Sequence, residues 1–137
     1  MMISSRGRYA LRIMIDLAEN SASGRFVPLK DMASRQNISL KYMERIVPVL
    51  VKDGLLAGVQ GKGGGYKLAM DAKDISVGRI LRLTEGSLQP VECPECGAQA
   101  EGPCEIGKDC RTVHMWQQFG KMTEEYFDGI TIADLML

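Results

Sequence analysis

Apolar residues recur every three or four positions in several stretches of the chain, a spacing typical of amphipathic helices. One such face predicts a helix over residues 6–19, with Ser4 and Ser5 before it as candidate caps. A short second helix is predicted over residues 29–36, followed by a tight turn at residues 37–38. The first part of the chain is therefore expected to be helical.

A third helix is predicted to begin after Ser39, whose side chain is suited to cap it. Its expected buried stripe consists of Leu40, Met43, Ile46, Val47, Leu50 and Val51. Gly54 supplies a carboxy-terminal stop, and Pro48 removes one backbone donor within the helix. Two strand-like runs at residues 55–60 and 66–69 then flank a glycine-rich turn, which predicts a β-hairpin.

The last third of the chain differs in composition. A helix is predicted around residues 78–83, and residues 86–110 are rich in Gly, Pro and Cys. A final amphipathic helix over residues 111–128 carries a large apolar stripe. Its members are Val113, Trp116, Phe119, Met122, Tyr126 and Phe127. Because one small domain cannot cover so many large side chains, the stripe predicts a seam between two copies of the chain, and core packing within one copy is the alternative.

Composition narrows the class of protein. With 137 residues, 45% hydrophobic and 25% charged, the chain is one ordinary globular domain, or one domain with a docked extension. It has no apolar run of the ~20 residues that span a bilayer, and no secretory signal is apparent at its amino terminus. We therefore expect a cytoplasmic protein without a membrane partner, whose reduced thiols are metal ligands or redox groups.

Charge is divided unevenly, although the formal net charge is zero. Residues 1–67 hold eleven Lys or Arg and five Asp or Glu, whereas residues 93–137 hold three and eight. The positive half indicates a nucleic-acid partner. The predicted order of elements is a helix, a tight turn, a capped helix and a glycine-tipped hairpin. This is the order of a winged helix-turn-helix, whose second helix enters the major groove.

This arrangement places the candidate DNA contacts in two regions. The amino-terminal part of the third helix offers Ser39, Lys41, Tyr42 and Arg45 to bases and phosphates. The hairpin tip offers Gln60, Lys62, Gly64 and Gly65. Glycines there let the backbone approach DNA without a Cβ clash. An αα-hairpin and a flexible turn are the alternative interpretations of the same two motifs.

Four cysteines lie within eighteen residues, at Cys93, Cys96, Cys104 and Cys110, and the only histidine, His114, follows them. Thiolates that converge in a Gly- and Pro-rich loop suit a tetrahedral metal or an iron–sulfur cluster, and spacing alone does not separate zinc from iron–sulfur. The alternatives are thiols without metal and thiols that crosslink on oxidation. No nucleophile–base pair is apparent, so we do not expect an enzyme.

Five segments of the chain carry a more specific pattern. They are Arg8-Tyr9-Ala10-Leu11, Ile38-Ser39-Leu40-Lys41-Tyr42-Met43-Glu44, Gly54-Leu55-Leu56, Gly61-Lys62-Gly63-Gly64-Gly65-Tyr66-Lys67-Leu68 and Ile130-Thr131-Ile132-Ala133-Asp134-Leu135. Together they resemble the IscR/NsrR-type family of bacterial winged-helix transcriptional regulators. The resemblance implies a homodimer that binds a palindromic operator, usually as a repressor, with Arg8 among the DNA contacts. Gln60 departs from the pattern, because many members carry Arg just before the wing glycines.

The resemblance also implies an iron–sulfur cluster, 2Fe–2S or 4Fe–4S, that senses redox state, nitric oxide or iron–sulfur status. Sensing members carry three cysteines in this region, the last two five residues apart, and Cys93, Cys104 and Cys110 match them. The fourth ligand varies within the family. Cys96, His114 or an acidic side chain is the candidate for it here.

The sequence therefore predicts a mainly α-helical fold with a small β-hairpin. Residues 1–85 are expected to form a winged helix-turn-helix DNA-binding domain, residues 86–110 a cysteine-rich cluster-binding loop, and residues 111–137 a dimerisation helix and tail. The predicted function is a transcriptional repressor whose affinity for double-stranded operator DNA is controlled by an iron–sulfur cluster. The alternative is a zinc-stabilised or thiol-based redox transcription factor without such a cluster.

Overall fold

The computed structural model describes residues 2–21, 23–93 and 104–137. Within them it contains five α-helices and one two-stranded antiparallel hairpin, which confirms the predicted mainly helical fold. The helices are α1 (Ser5–Asn20), α2 (Leu29–Gln36), α3 (Leu40–Lys52), α4 (Val77–Glu85) and α5 (Val113–Asp128), and the strands are β1 (Leu56–Val59) and β2 (Gly65–Leu68). None of the helices within these ranges is both long and apolar enough to cross a membrane.

Helix α1 lies at the centre of the fold. Ser4 caps it as predicted, since its Oγ accepts a hydrogen bond from the Gly7 amide at 3.3 Å. Ala10, Ile13, Met14 and Leu17 on its inner face are fully buried. From this position α1 contacts α2, α3, α4 and β2, so it supports both the helix-turn-helix and the hairpin.

The turn between α2 and α3 is as short as the sequence predicts. Asn37 adopts a left-handed conformation with φ 52°, which a short polar side chain tolerates better than most residues. The Ile38 amide then donates to the Ala33 carbonyl at 3.1 Å, and α3 begins two residues later. This left-handed residue and hydrogen bond define the short turn that leads into α3.

Helix α3 also ends as predicted. The Leu55 amide donates to the Leu50 carbonyl and the Gly54 amide donates to the Val51 carbonyl, both at 3.0 Å, while Gly54 has φ 80°. This pair of bonds closes a helix with a left-handed glycine. The prediction that Leu40 is buried is wrong, because 45% of it is exposed. It occupies the first position of α3, one turn before the buried stripe begins at Met43.

The hairpin is attached to the helical part through the segment before α2. Leu56 pairs with Leu68 and Val59 pairs with Gly65, and the tip lies between them. Val27 adds a bridge on the other side of β2, where its amide donates to the Tyr66 carbonyl at 2.7 Å and its carbonyl accepts from the Tyr66 amide at 2.8 Å. These two hydrogen bonds fix β2 to the segment before α2, one residue from the tip end of the strand.

The C-terminal part packs back onto the same core. The predicted helix at residues 78–83 is α4, and the final helix begins at Val113, two residues later than expected. Ile132 in the tail is fully buried in the main core, next to an antiparallel bridge between Thr131 and Ser76. Leu88 belongs to a second buried cluster that includes Val77 and Leu81 of α4. This cluster holds the segment that leads to Cys93.

Candidate nucleic-acid interface and thiol segment

The amino-terminal end of α3 carries the first group of predicted contacts. Ser39 caps the helix, since its Oγ accepts from the Tyr42 amide at 3.1 Å. Ser39, Lys41 and Arg45 are exposed, whereas Tyr42 is half-buried. The structure thus brings three exposed polar side chains to a capped helix end, where unpaired amides also favour anions.

Tyr42 is half-buried because aromatic residues of α1 and α3 pack together. Its ring lies 5.4 Å from the ring of Tyr9 in an edge-to-face arrangement with an interplanar angle of 81°. The guanidinium of Arg12 lies 5.3 Å from the centre of the Tyr9 ring and donates to both the backbone carbonyl and the side chain of Gln36. These contacts connect α1 to the end of α2 and to the first turn of α3. Arg12 was not among the predicted residues.

Arg8 is exposed in the second turn of α1. Its guanidinium donates to Ser5 Oγ at 3.0 Å, within the same helix. Arg8 therefore adds positive charge near the start of α1, and no contact of the described residues links it to the side chains of α3.

The hairpin tip carries the second group of predicted contacts. Gln60 and Lys62 are exposed there, as expected for residues that reach a ligand. Gly64 and Gly65 have a structural reason to be glycine. A Cβ on Gly64 would collide with the Val59 carbonyl, and one on Gly65, at φ 152°, would collide with the Val27 carbonyl. The tight tip accounts for Gly64, and the close approach of the segment before α2 accounts for Gly65.

An ion pair between a buried carboxylate and a partly exposed arginine connects α1 to α2. Both carboxylate oxygens of Asp16 accept from Arg35, at 2.7 and 2.9 Å, and Gln36 Nε2 adds a third bond at 3.0 Å. Only 2% of the Asp16 side chain is exposed. The hydrogen bond to Asp16 raises the pKa of Arg35. Sequence reasoning missed this pair, although a carboxylate within the apolar face of α1 is a usable signal for it.

Three polar contacts connect α4 to the other helices. Arg79 donates to Asp53 at the end of α3, Arg82 donates to Asp128 at the end of α5 at 2.5 Å, and Glu85 accepts from the Ser4 hydroxyl at 2.6 Å. The close approach of α5 to α4 also depends on Gly78, where a Cβ would collide with Asp128. Helix α4 thus contacts α3, which is the candidate DNA-reading helix, and also α5 and α1.

Cys93 and Cys104 lie at the two edges of the segment that the structure does not describe, and Cys110 lies six residues beyond Cys104. Cys93, Cys104 and Cys110 are half-buried, and Cys96 lies outside the described residues. Cys110 Sγ lies 3.2 Å from Thr112 Oγ1, just before α5 begins. His114 is exposed in the first turn of α5. Among the described residues, no three His, Cys, Asp or Glu side chains are grouped as a metal site.

Helix α5 presents two different faces. Val113 is buried and Trp116 and Phe127 are half-buried against the fold. Met115, Phe119, Met122 and Tyr126 are 54%, 45%, 55% and 66% exposed. They lie four, three and four residues apart and so form one outward stripe. The predicted single stripe was therefore wrong in its composition, because it combined residues of both faces and omitted Met115.

The chain has clear relatives. The Rrf2 family profile, described as an iron-dependent transcriptional regulator, matches residues 3–137. The HTH-type transcriptional regulator IscR of Cronobacter sakazakii is 39% identical over 136 residues, covering 99% of this chain and 80% of that protein. IscR of Klebsiella pneumoniae is 38% identical over the same shares.

Solved structures agree with these relatives. The structure of CymR (YrzC), the global cysteine regulator of B. subtilis, matches with a TM-score of 0.79 and 31% identity over 98% of this chain and 95% of that chain. T. potens IscR matches with a TM-score of 0.74 and 33% identity over 98% and 85%. The oxidized form of Staphylococcus aureus CymR matches with a TM-score of 0.74 and 31% identity over 98% and 95%.

Proposed function

The chain belongs to the Rrf2 family of transcriptional regulators, and on this premise we propose that it is a homodimeric repressor whose operator affinity is set by an iron–sulfur cluster. Membership confirms the resemblance predicted from the sequence and the prediction that the chain is not an enzyme. We assign DNA reading to residues 1–85, sensing to residues 86–110 and dimerisation to residues 111–137.

The observation that carries the DNA-reading role is the exposed polar end of α3. Ser39, Lys41 and Arg45 lie at a capped helix end that is free of covering structure within the described residues. In a winged helix-turn-helix this end enters the major groove, while the hairpin reaches the adjacent backbone or minor groove. Gln60 and Lys62 are the side chains at that hairpin tip. The Gln60 side chain is shorter than that of arginine and carries no charge. It therefore favours hydrogen bonds to DNA over charge pairing with phosphates.

The homodimer rests on the outward stripe of α5. Four large apolar side chains, Met115, Phe119, Met122 and Tyr126, would remain in water in a monomer. Pairing of this face with the same face of a second copy about a two-fold axis would bury them. Such a dimer places two α3 helices roughly one DNA turn (~34 Å) apart, which matches a palindromic operator.

The cluster proposal rests on the donor chemistry of the thiols. Thiolates are the usual ligands of iron–sulfur clusters, and Cys93, Cys104 and Cys110 are half-buried residues that adjoin one short segment. We assign these three as ligands, with Cys96, His114 or a carboxylate as the fourth. A bound cluster supplies iron that reacts with oxidants and nitric oxide.

The fold offers a route from the thiol segment to the reading helix. Leu88, which precedes Cys93, is buried against α4, and α5, which follows Cys110, is joined to α4 through Arg82 and Asp128. Helix α4 in turn is joined to the end of α3 through Arg79. A displacement against α4 of the segment that leads to Cys93, or of α5 after Cys110, therefore changes the orientation of α3. The two orientations of α3 are two states with different operator affinity.

A thiol-based regulator without a cluster is the second candidate function. Two structures of CymR are as similar to this chain as the structure of IscR is. One CymR is described as a global cysteine regulator, and the other is in an oxidized form. In this alternative, oxidation of Cys104 or Cys110 would itself alter operator affinity. Zinc in place of iron is a further variant of the same alternative.

Anaerobic purification of the full chain separates these possibilities. Visible absorbance together with stoichiometric iron and sulfide supports the cluster, whereas a colourless protein with zinc, or with neither metal, supports the alternatives. Cys104→Ser and Cys110→Ser are expected to lose the iron. Cys96→Ser and His114→Ala identify the fourth ligand, since only the variant of the true ligand loses iron. Full iron retention by Cys104→Ser and Cys110→Ser contradicts the assignment.

A further inference from the structure

A pocket of about 240 Å³ lies between the start of α1 and the first two turns of α3. Its walls are Arg6, Tyr42, Arg45 and Ile46. Two arginines and a phenol thus converge on one small space beside the reading helix. The volume is below that of pockets for drug-sized ligands, which start at roughly 300 Å³, so it suits a small group and a few waters.

Arg6 is not satisfied within the described residues. Its Nε is buried and makes no hydrogen bond there. A buried donor without a partner is costly, and native structures supply one from protein, water or ligand. The cost is greater for a charged guanidinium than for a neutral donor.

Other arginines of the chain show the contrast. Arg12, Arg35, Arg79 and Arg82 all donate to oxygen atoms of neighbouring helices. For Arg6 and Arg45, by comparison, the part of the chain that the structure describes provides no carboxylate partner. The side chains of Arg6 and Arg45 therefore present two positive charges to one pocket. The ligand that complements them is an anion with several acceptor oxygens.

We propose that this pocket binds a phosphate of the DNA backbone, with Arg6 as its buried donor and Arg45 and Tyr42 at its rim. The inference rests on the proposed DNA-reading function and deepens it. When α3 lies in the major groove, the phosphates of the groove wall pass beside its amino-terminal turns, where the pocket opens. A contact of this kind fixes the position of the protein on the duplex without reading sequence. Arg6 was absent from the predicted contacts.

The salt dependence of binding measures the contact. A duplex selected in vitro with the wild-type full chain serves as the operator, and binding is followed by fluorescence anisotropy across a range of KCl concentrations. Arg6→Gln is expected to flatten the slope of log K against log [KCl] by about 0.9 per protomer. It should weaken binding to operator and to random duplex by the same factor. Arg6→Lys, which keeps the charge, should retain the wild-type slope.

Lys73→Gln is the matched control. Lys73 is exposed beside Asp71, in a short 3₁₀ helix that packs on the C-terminal 3₁₀ helix at Ala133–Leu135, and its removal should leave the slope unchanged. Circular dichroism melts of all variants show whether they are folded. If Arg6→Gln fails to fold, Arg45→Gln, which alters the rim of the same pocket, takes its place in the methylphosphonate experiment described next.

That second experiment replaces single phosphates of the operator by neutral methylphosphonates. At one position in each half-site the replacement should weaken the wild type and Arg6→Lys but leave Arg6→Gln unaffected. Equal slopes for Arg6→Gln and wild type, or no position that weakens the wild type, overturn the phosphate pocket alone. If the wild type selects no duplex at all, the proposed function falls and this inference falls with it.

Discussion

Arg79 of α4 binds Asp53 at the carboxy-terminal end of α3 through two bonds. Its Nε donates to Asp53 Oδ2 at 2.9 Å, and its Nη2 donates to the Asp53 backbone carbonyl at 3.0 Å. A cation at this end of a helix also complements the helix dipole. Ser39 caps the opposite end, so α3 is held at both termini.

Arg79→Met is expected to lower the free energy of unfolding by about 1–2 kcal/mol, because two hydrogen bonds from a charged, partly exposed donor are lost. The operator affinity should fall further than stability alone explains, since α3 loses its connection to α4. Urea unfolding and anisotropy with the selected duplex measure the two effects. Lys121→Met, which removes an exposed pair with Glu125 at 3.8 Å, is the control and should change neither.

Asp16→Asn tests the ion pair between α1 and α2, in which Asp16 is the buried partner. Asn cannot accept at both oxygens or carry the charge that faces Arg35, so we expect a loss of about 2–3 kcal/mol in the free energy of unfolding. Because the pKa of Arg35 is raised in the folded state, the stability linked to its charge is complete at neutral pH and is lost only at strongly alkaline pH. A wild-type-like unfolding midpoint for Asp16→Asn is the contrary result.

Asp134 in the tail provides a test at acidic pH. The Thr131 amide and hydroxyl donate to its Oδ2 at 2.8 and 3.0 Å and lower the pKa of its carboxyl. A lowered folded-state pKa means that this contribution is present above the unfolded value and is lost as the pH falls through the folded one. We expect Thr131→Val to raise the Asp134 midpoint in a ¹³C NMR titration. Thr123→Val, which removes a hydroxyl on α5, should leave it unchanged.

Tyr126→Glu tests the outward stripe of α5. A carboxylate within a paired apolar face is costly to bury, so the variant should elute as a monomer while the wild type has about twice the 15.1 kDa chain mass. Light scattering coupled to size exclusion measures the mass. Glu124→Gln serves as the control. A monomeric wild type, or a dimeric Tyr126→Glu, counts against pairing through this stripe.

Local signals in the sequence predict most of the helix-turn-helix. Ser39 and Gly54 are a cap and a stop whose chemistry acts within one or two turns, so both ends of α3 follow from the residues themselves. The same reasoning fails for Leu40, because its burial depends on which neighbours lie beside the first turn. Periodicity predicts which residues share a helix face, but it does not predict how far along that face a neighbouring element covers them.

The polar contacts of the site are less predictable because they join distant parts of the chain. Arg79 and Asp53 are 26 residues apart, and the Arg6 pocket forms only when α1 lies against α3. Helix α5 shows a related limit, since Trp116 and Tyr126 are both apolar in pattern, yet Trp116 is half-buried and Tyr126 is exposed. Spacing also predicts the cysteine ligands without deciding how they are grouped.

Operator affinity under anaerobic conditions tests the central claim most directly. The cluster-loaded wild type and the Cys104→Ala, Cys110→Ala double variant are titrated onto the same selected duplex at one salt concentration. The account predicts affinities that differ by about 5- to 150-fold, the usual range for coupling between two sites. Identical affinities, with iron confirmed in the wild type and absent from the double variant, contradict it.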